Sequence, residues 1–424
     1  MSYIIAAIKE PGNDQLYTIV QFFQSNMVDR RLLLLVTSVC STQALRLLVS
    51  SYSPSNGGPG SLQTLGLAND RKTLQVTSTN QNCGLQSSWL DVSETKDTVL
   101  CVNEDNPGSV NLLHINGDGS LKLVHNASTS GGPVSDAFFG AMNNRAVALA
   151  HYDPPAISTF AVTRDNNFVP LQNFTFPGAV TGGVPGRQDT SHIHEALIDP
   201  CGKFLLFIDL GADLIHVYAI DPRTNALRAL APIQSPRKSG PRHGVFWQAP
   251  SGQTFLFVVH ELSNQIISYK MTYRANNGGG GVDFAQVDQV STFGNRNVPS
   301  GAAAAEIVKT PDNAFILASN RLAPIFDVPN PDPSNTTTVK SDSIVTFRPT
   351  AAGKLQFVQL VASGGLAPRH FSLNHDGSQI AVANGGSASV NVFQRDVRTG
   401  IMGAQIAAGY HLGPGALTNV QWLE

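Results

Sequence analysis

The sequence predicts an all-β chain folded as a seven-bladed β-propeller of four-stranded blades, its ring closed by strands from both ends of the chain in one blade. Three observations carry this. Short apolar runs bounded by Gly, Pro, Asp and Asn recur along the chain, a pattern of strands and tight turns rather than of helices. They group into six successive four-strand units of roughly 40–60 residues, the spacing of propeller blades. Three strands precede these units and one follows; joined, they make a seventh blade and remove the open sheet edge. A β-sandwich array would leave the last strand, near 418–422, without a role.

The clearest unit is SHIHEALIDPCGKFLLFIDLGADLIHVY at 191–218. It reads as strand, DPCG turn, strand 203–208, DLGAD turn and strand 214–218, with a fourth strand near 226–230. The leading strands are 45–52, 61–67 and 72–78. Unit one begins near 88–92, unit two near 135–139, unit four at GPRH 240–243, unit five near 301–305 and unit six at APRH 367–370. Second strands follow at 98–103, 145–151, 254–259, 314–319 and 379–383. The Gly run 278–281 and the stretch 327–341 read as surface loops. The 38 Gly and 25 Pro suit this many turns.

Residues 45–424 are thus one propeller domain and 1–44 an N-terminal extension. Within the extension, MVDRR at 27–31, the apolar run 32–36 and small residues around Cys40 have the layout of a secretory signal peptide over 27–44. The alternative is a short N-terminal helix on a cytoplasmic protein. The run is far shorter than the ~20 residues of a membrane span, so no membrane role is expected. Sequons at Asn126, Asn173 and Asn335 fit a secreted glycoprotein. Cys83 and Cys101 flank a predicted strand and are a candidate disulfide; no zinc-type Cys/His spacing is present. The formal net charge of -2 and the absence of a basic stripe exclude nucleic acid as an expected partner.

Blade geometry collects candidate residues at one mouth of the channel, because entry to strand one and the turn after strand two share a face. Strand-one entries carry His192 and His194, Arg242 and His243, and Arg369 and His370. The turns after strand two carry Glu104, His151, Asp209, Asp213, Glu261, Arg321 and Asn384. Charged residues make up only 14% of the chain, so this concentration is informative. Glu104, Asp209, Asp213 and Asn384 are expected to tie blades together, since buried polar groups must be paired. His216 and His375 read as a strand-face and a turn residue. His194, Arg242, Glu261 and Arg321 are the catalytic candidates: arginines hold an anion, and His or Glu moves a proton. His192, His243, Arg369, His370 and His151 are candidate substrate-binding residues. No HExxH, GxSxG, P-loop or dinucleotide motif occurs, and the carboxylates are too scattered for a calcium cage.

At these residues the chain resembles the seven-bladed lactonase family, which includes propeller-type 6-phosphogluconolactonases and fungal carboxy-cis,cis-muconate cyclases. The matching motifs are His194 with the strand-turn-strand that follows, GPRH at 240–243, VHEL at 259–262, SNR at 319–321 and APRH at 367–370. The resemblance implies that His194, Arg242, Glu261 and Arg321 form the active site and that no metal or organic cofactor is needed. The chain departs from the family at His151, which precedes Tyr152 where Asn is common, and at His260, which precedes Glu261 in place of Asn. Both departures are expected near the mouth, where they would alter substrate choice.

The expected function is hydrolysis of a sugar lactone, an aldonolactone or a 6-phosphogluconolactone-like compound, to the open carboxylate. Arg242 and Arg321 would bind the carboxylate or the developing oxyanion, and His194 or Glu261 would be the base. The rivals are a muconate-type lactonizing isomerase and a non-catalytic binding propeller.

Overall fold

The computed structural model describes residues 2–9, 16–23, 37–38 and 45–424, apart from 142–143, 181, 275–280 and 333. The chain divides into two units, Met1–Ala44 and Leu45–Glu424. In the first, Ser2–Lys9 pairs antiparallel with Leu16–Phe23, which also pairs with Thr37–Ser38. The described residues there form strands. The apolar run 32–36 and Cys40 lie outside the described residues.

In the second unit, seven antiparallel sheets are each a meander of four strands. The first strand of every blade packs against the first strands of both neighbours, right round the ring. Closure comes from Leu417–Trp422, which pairs antiparallel with Arg46–Ser51; Ser61–Leu67 and Leu74–Asn80 complete that blade. Second strands such as Ala146–His151, Phe204–Asp209 and Thr254–His260 are buried throughout, because blades cover both their faces. That is why they read as unbroken apolar runs. The outer strand Leu121–Thr129 instead alternates between exposed and half-buried side chains, the period-two signature of a one-sided strand. Between blades the core is aromatic: Phe207, Phe255, Phe257, Phe315, Phe347 and Phe371 are all but fully buried. Each contributes about 1.5–3 kcal/mol by burial.

Two expectations change. In the blade built on Ile193–Ile198, Phe204–Asp209 and Leu214–Ile220, the fourth strand is short, Leu227–Ala229, and a second piece, Ile233–Gln234, pairs with the same neighbour. Pro232 stands between them and has no N–H for the ladder. The stretch read as a loop at 327–341 holds a hairpin, Phe326–Pro329 with Thr338–Ser341, in which Val328 faces Val339. Phe326 anchors it by packing on the core. Cys83 and Cys101 form a disulfide, with Cα atoms 6.0 Å apart.

Candidate active site

Two backbone features aim side chains at the mouth. The first is an irregularity in the first strand of every blade, where extra residues oppose the regular ladder of strand two. It falls at Ser88, Val134, His194, Arg242, Ala305–Glu306, Arg369 and Thr418. A bulge leaves the ladder and turns its side chain. Three of the seven positions thus present His194, Arg242 and Arg369 at the axis. In three blades a proline stands just before the bulge, at Pro133, Pro241 and Pro368, the first residue of its strand. The residue before the proline has positive φ: Gly132 (63°), Gly240 (60°) and Ala367 (54°). A Cβ on Gly132 would meet Asp153 O at 2.4 Å, so glycine is required there.

The second feature lies where strand two ends. Its last buried polar residue stays inside the blade, and the next side chain swings to the mouth. Asn103 is followed by Glu104, His151 by Tyr152, His260 by Glu261 and Asn320 by Arg321. The backbone fixes the exit: Glu104 N–H donates to Gln86 O, Tyr152 N–H to Gly132 O and Glu261 N–H to Gly240 O, at 2.7–2.8 Å.

Together these positions enclose a cavity of about 200 Å³ lined by Glu104, Tyr152, Arg187, His194, Arg242, Glu261, Arg321 and Arg369. Four guanidinium groups face two carboxylates there, a formal excess of two positive charges. A second cavity of about 10 Å³ shares His194, Arg242 and Arg369 with it and is lined further by the bulged residues Ser88, Val134 and Thr418, with Trp89 and His243.

Glu261 is the hub of the arginines. Its Oε2 lies 3.0 Å from Arg242 Nε and 2.8 Å from Arg321 Nη2, and its Oε1 accepts from Arg187 Nη2. Burial alone would raise its carboxyl; Arg321, Arg242 and Arg187 together pull it down to about 2. Burial, Arg321 and Arg369 pull the Arg242 guanidinium down to about 9, which leaves it charged at neutral pH. Its Nη1 donates to Ala305 O at 2.7 Å. Arg321 Nε is buried without a hydrogen-bond partner. On the far wall Tyr52 donates to Glu104, Arg369 lies 3.9 Å from Glu104, and its guanidinium sits 5.2 Å over the Tyr52 ring.

Behind His194 runs a buried chain of polar groups. His194 Nδ1 is 3.1 Å from His243 Nε2, and His243 Nδ1 is 3.0 Å from Glu306 Oε2. His370 Nε2 approaches the same oxygen at 3.8 Å. Trp89 meets both His243 and His370 edge-on, with ring centroids 5.2 Å apart in each case. Burial, then Arg242 and His243, hold the His194 imidazole well below its usual value, so it is neutral at neutral pH.

The structure brings His194, Arg242, Glu261, Arg321 and Arg369 to one cavity. His243 and His370 stand behind them. His192 does not line the cavity: its ring stacks on Tyr152 at 4.2 Å and its Nδ1 meets Tyr152 O. His151 is placed away from the site, fully buried, with Nδ1 on Gly131 O and Nε2 on Ser158 Oγ. His260 is likewise turned inward, onto Val258 O and Ser235 Oγ. Both occupy the inward position at the end of strand two, and the residues that line the cavity are their neighbours Tyr152 and Glu261. Glu104, expected as a blade tie, lines the cavity. Asp209, Asp213 and Asn384 are held by hydrogen bonds within the scaffold, Asp213 by Gln188 and the Lys238 and Gly240 amides. Arg187, Tyr52, Trp89 and Glu306 were not identified as site residues from sequence. Arg187 comes from the loop between Phe168–Thr175 and Ile193–Ile198, outside the strand repeat; the signal for Glu306 was a carboxylate in the middle of the otherwise apolar run 303–308.

Among the described residues no group of three or more His, Cys, Asp or Glu side chains is placed to hold a metal ion. The model of the family described as "Lactonase, 7-bladed beta-propeller" matches residues 46–410. A protein of Arthroderma benhamiae named "Probable 6-phosphogluconolactonase" is 28% identical over 77% of this chain and 78% of its own length. The 6-phosphogluconolactonase of Formosa agariphila is also 28% identical, over 74% of this chain and 83% of its own. The solved structure of the Pseudomonas aeruginosa periplasmic gluconolactonase superposes with a TM-score of 0.70 at 22% identity, covering 90% of this chain and 99% of that one. The chain therefore belongs to the seven-bladed β-propeller lactonase family.

Proposed function

We propose that this protein hydrolyses a sugar lactone that carries an anionic group, giving the open carboxylate without a metal or organic cofactor. The observation that carries the reading is the cavity itself, with four arginines against two glutamates and a neutral histidine at its wall. Its volume of about 200 Å³ is below the ~300–1,000 Å³ of drug-sized sites, which suits a compact single-ring substrate. Relatives named 6-phosphogluconolactonase support the lactone class.

The chemistry divides between two groups. Attack of water on the lactone carbonyl builds negative charge on the carbonyl oxygen, and arginines already fixed in a largely buried site stabilise it without reorganising. Arg242 and Arg321, both at the cavity wall, supply this charge. Arg369 and Arg187 hold the substrate's own anionic group. His194 takes the proton of the attacking water and returns it to the leaving alkoxide. Glu261 is the poorer base, because three guanidinium groups hold it ionised and occupied. Its work is to keep those groups together.

We also propose that the protein is exported. The Cys83–Cys101 disulfide suits an oxidising compartment, and Asn126, Asn173 and Asn335 are all exposed, as glycosylation requires.

The test is a panel of aldonolactones, phosphorylated sugar lactones and carboxymuconate given to purified protein, with and without chelator. Chelator-insensitive opening of a lactone supports the reading. Cyclisation of carboxymuconate alone would assign the isomerase reaction, and binding without turnover would assign a binding role.

A further inference from the structure

We propose that Glu306 and His243 are positioning residues that fix the tautomer of His194, so that its Nε2 carries a lone pair at the cavity wall. This rests on the reading of His194 as the base. His243 Nδ1 lies 3.0 and 3.1 Å from the two carboxylate oxygens of Glu306. An ionised carboxylate only accepts hydrogen bonds, so His243 carries its proton on Nδ1. Its Nε2 is then a lone pair, 3.1 Å from His194 Nδ1. That contact is a hydrogen bond only if His194 carries its proton on Nδ1 as well. The remaining nitrogen, Nε2, is the one free to accept a proton. The same logic makes a carboxylate behind a catalytic histidine select one ring form.

Burial raises the Glu306 carboxyl above its ordinary value, and His370, Arg242, the Ile307 N–H that its Oε1 accepts at 3.0 Å, and Arg369 oppose that rise. These contacts are the ones an ionised carboxylate makes, since both of its oxygens face N–H donors. Glu195 is the competing carboxyl. Its Oε2 accepts the Gly244 N–H, and burial and Glu306 push it well above the usual range. Of two buried carboxyls that repel each other, one takes the proton, and here it is Glu195. Trp89 packs edge-on against both His243 and His370, which holds the two rings in place beside Glu306. A neutral Glu306 would donate to His243 Nδ1, reverse both rings and put a proton on His194 Nε2. The two forms therefore differ in an observable.

Nitrogen-15 NMR of the full chain labelled at histidine, with signals assigned by the His194→Gln and His243→Gln variants, reads the tautomers directly at neutral pH. The proposal expects Nδ1–H on both rings in the wild type, and a shift towards Nε2–H on His194 in Glu306→Gln, whose amide can donate as well as accept. It also expects kcat of Glu306→Gln to fall about 100-fold or more, with KM within about threefold, since the arginines are untouched; replacing the corresponding orienting carboxylate of a serine protease costs about 10⁴. His194 protonated on Nε2 in the wild type would overturn the proposal, as would unchanged kcat in Glu306→Gln. If Glu306→Gln does not fold, the wild-type spectrum alone decides. If the wild type opens no lactone, the functional reading fails, while the tautomer measurement still decides the positioning role.

Discussion

Arg242 Nε lies 3.0 Å from Glu261 Oε2, and the two side chains are 2% and 5% exposed. Arg321 reaches the same oxygen at 2.8 Å. One carboxylate thus neutralises part of a charge cluster that would otherwise repel itself. Removing one partner of a buried pair costs about 3–5 kcal/mol. Glu261→Gln should therefore lower thermal stability by an amount of that order, and circular-dichroism melts would show it. An unchanged Tm would mean that the arginines do not depend on Glu261.

The same carboxylate sets an acid limit. Its folded value, about 2, is below its ordinary value of 4.5, so its contribution is complete above pH 4.5 and is lost as pH falls towards 2. That shift corresponds to about 3 kcal/mol. Urea unfolding of the wild type should weaken across this window, and the Glu261→Gln variant should show a flatter profile there.

The arginines differ in role and should differ in response. Arg242→Lys cannot keep both the contact with Glu261 and the bond to Ala305 O, because a single ammonium does not span them. A fall of at least tenfold in kcat/KM is expected. Arg187 is partly exposed, its side chain 39% accessible, and sits on a loop. Arg187→Ala should raise KM about three- to tenfold with little change in kcat, and the wild-type KM should rise with added salt. Steady-state kinetics at two ionic strengths check both statements.

His194 is held neutral to lower pH than a free imidazole by burial, Arg242 and His243. A base with a lowered pKa stays active as pH falls, so the acid limb of the kcat/KM profile should lie below the usual imidazole value of about 6.5. A limb at 7 or above would contradict this assignment.

The Cys83–Cys101 bridge spans 18 positions in sequence. A closed loop of that size contributes about 3 kcal/mol. Reductant should lower the Tm of the wild type and leave that of Cys83→Ser unchanged.

Much of this was legible in residues. The strand periodicity and the orphan last strand predict the ring, and Leu417–Trp422 closes it on Arg46–Ser51. The repeated Pro-Arg-His places Arg242 and Arg369 at the mouth because the residue after the proline is the bulge. What was hidden is which of two adjacent polar residues faces the cavity. His151 and Tyr152 differ by one position, and a one-residue step in a strand reverses direction. Glu306 was hidden differently: its partners His243 and His370 are brought to it by two neighbouring blades, a proximity that the ring creates.

The most direct test of the lactonase account is proton release in a pH-stat from 6-phosphogluconolactone and from unphosphorylated gluconolactone, with wild type and His194→Gln side by side. The account predicts enzymatic opening by the wild type, at least tenfold higher kcat/KM for the phosphorylated substrate, and a loss of about 10²–10⁴ in His194→Gln. Wild-type rates in His194→Gln, or no opening of either lactone, would contradict it.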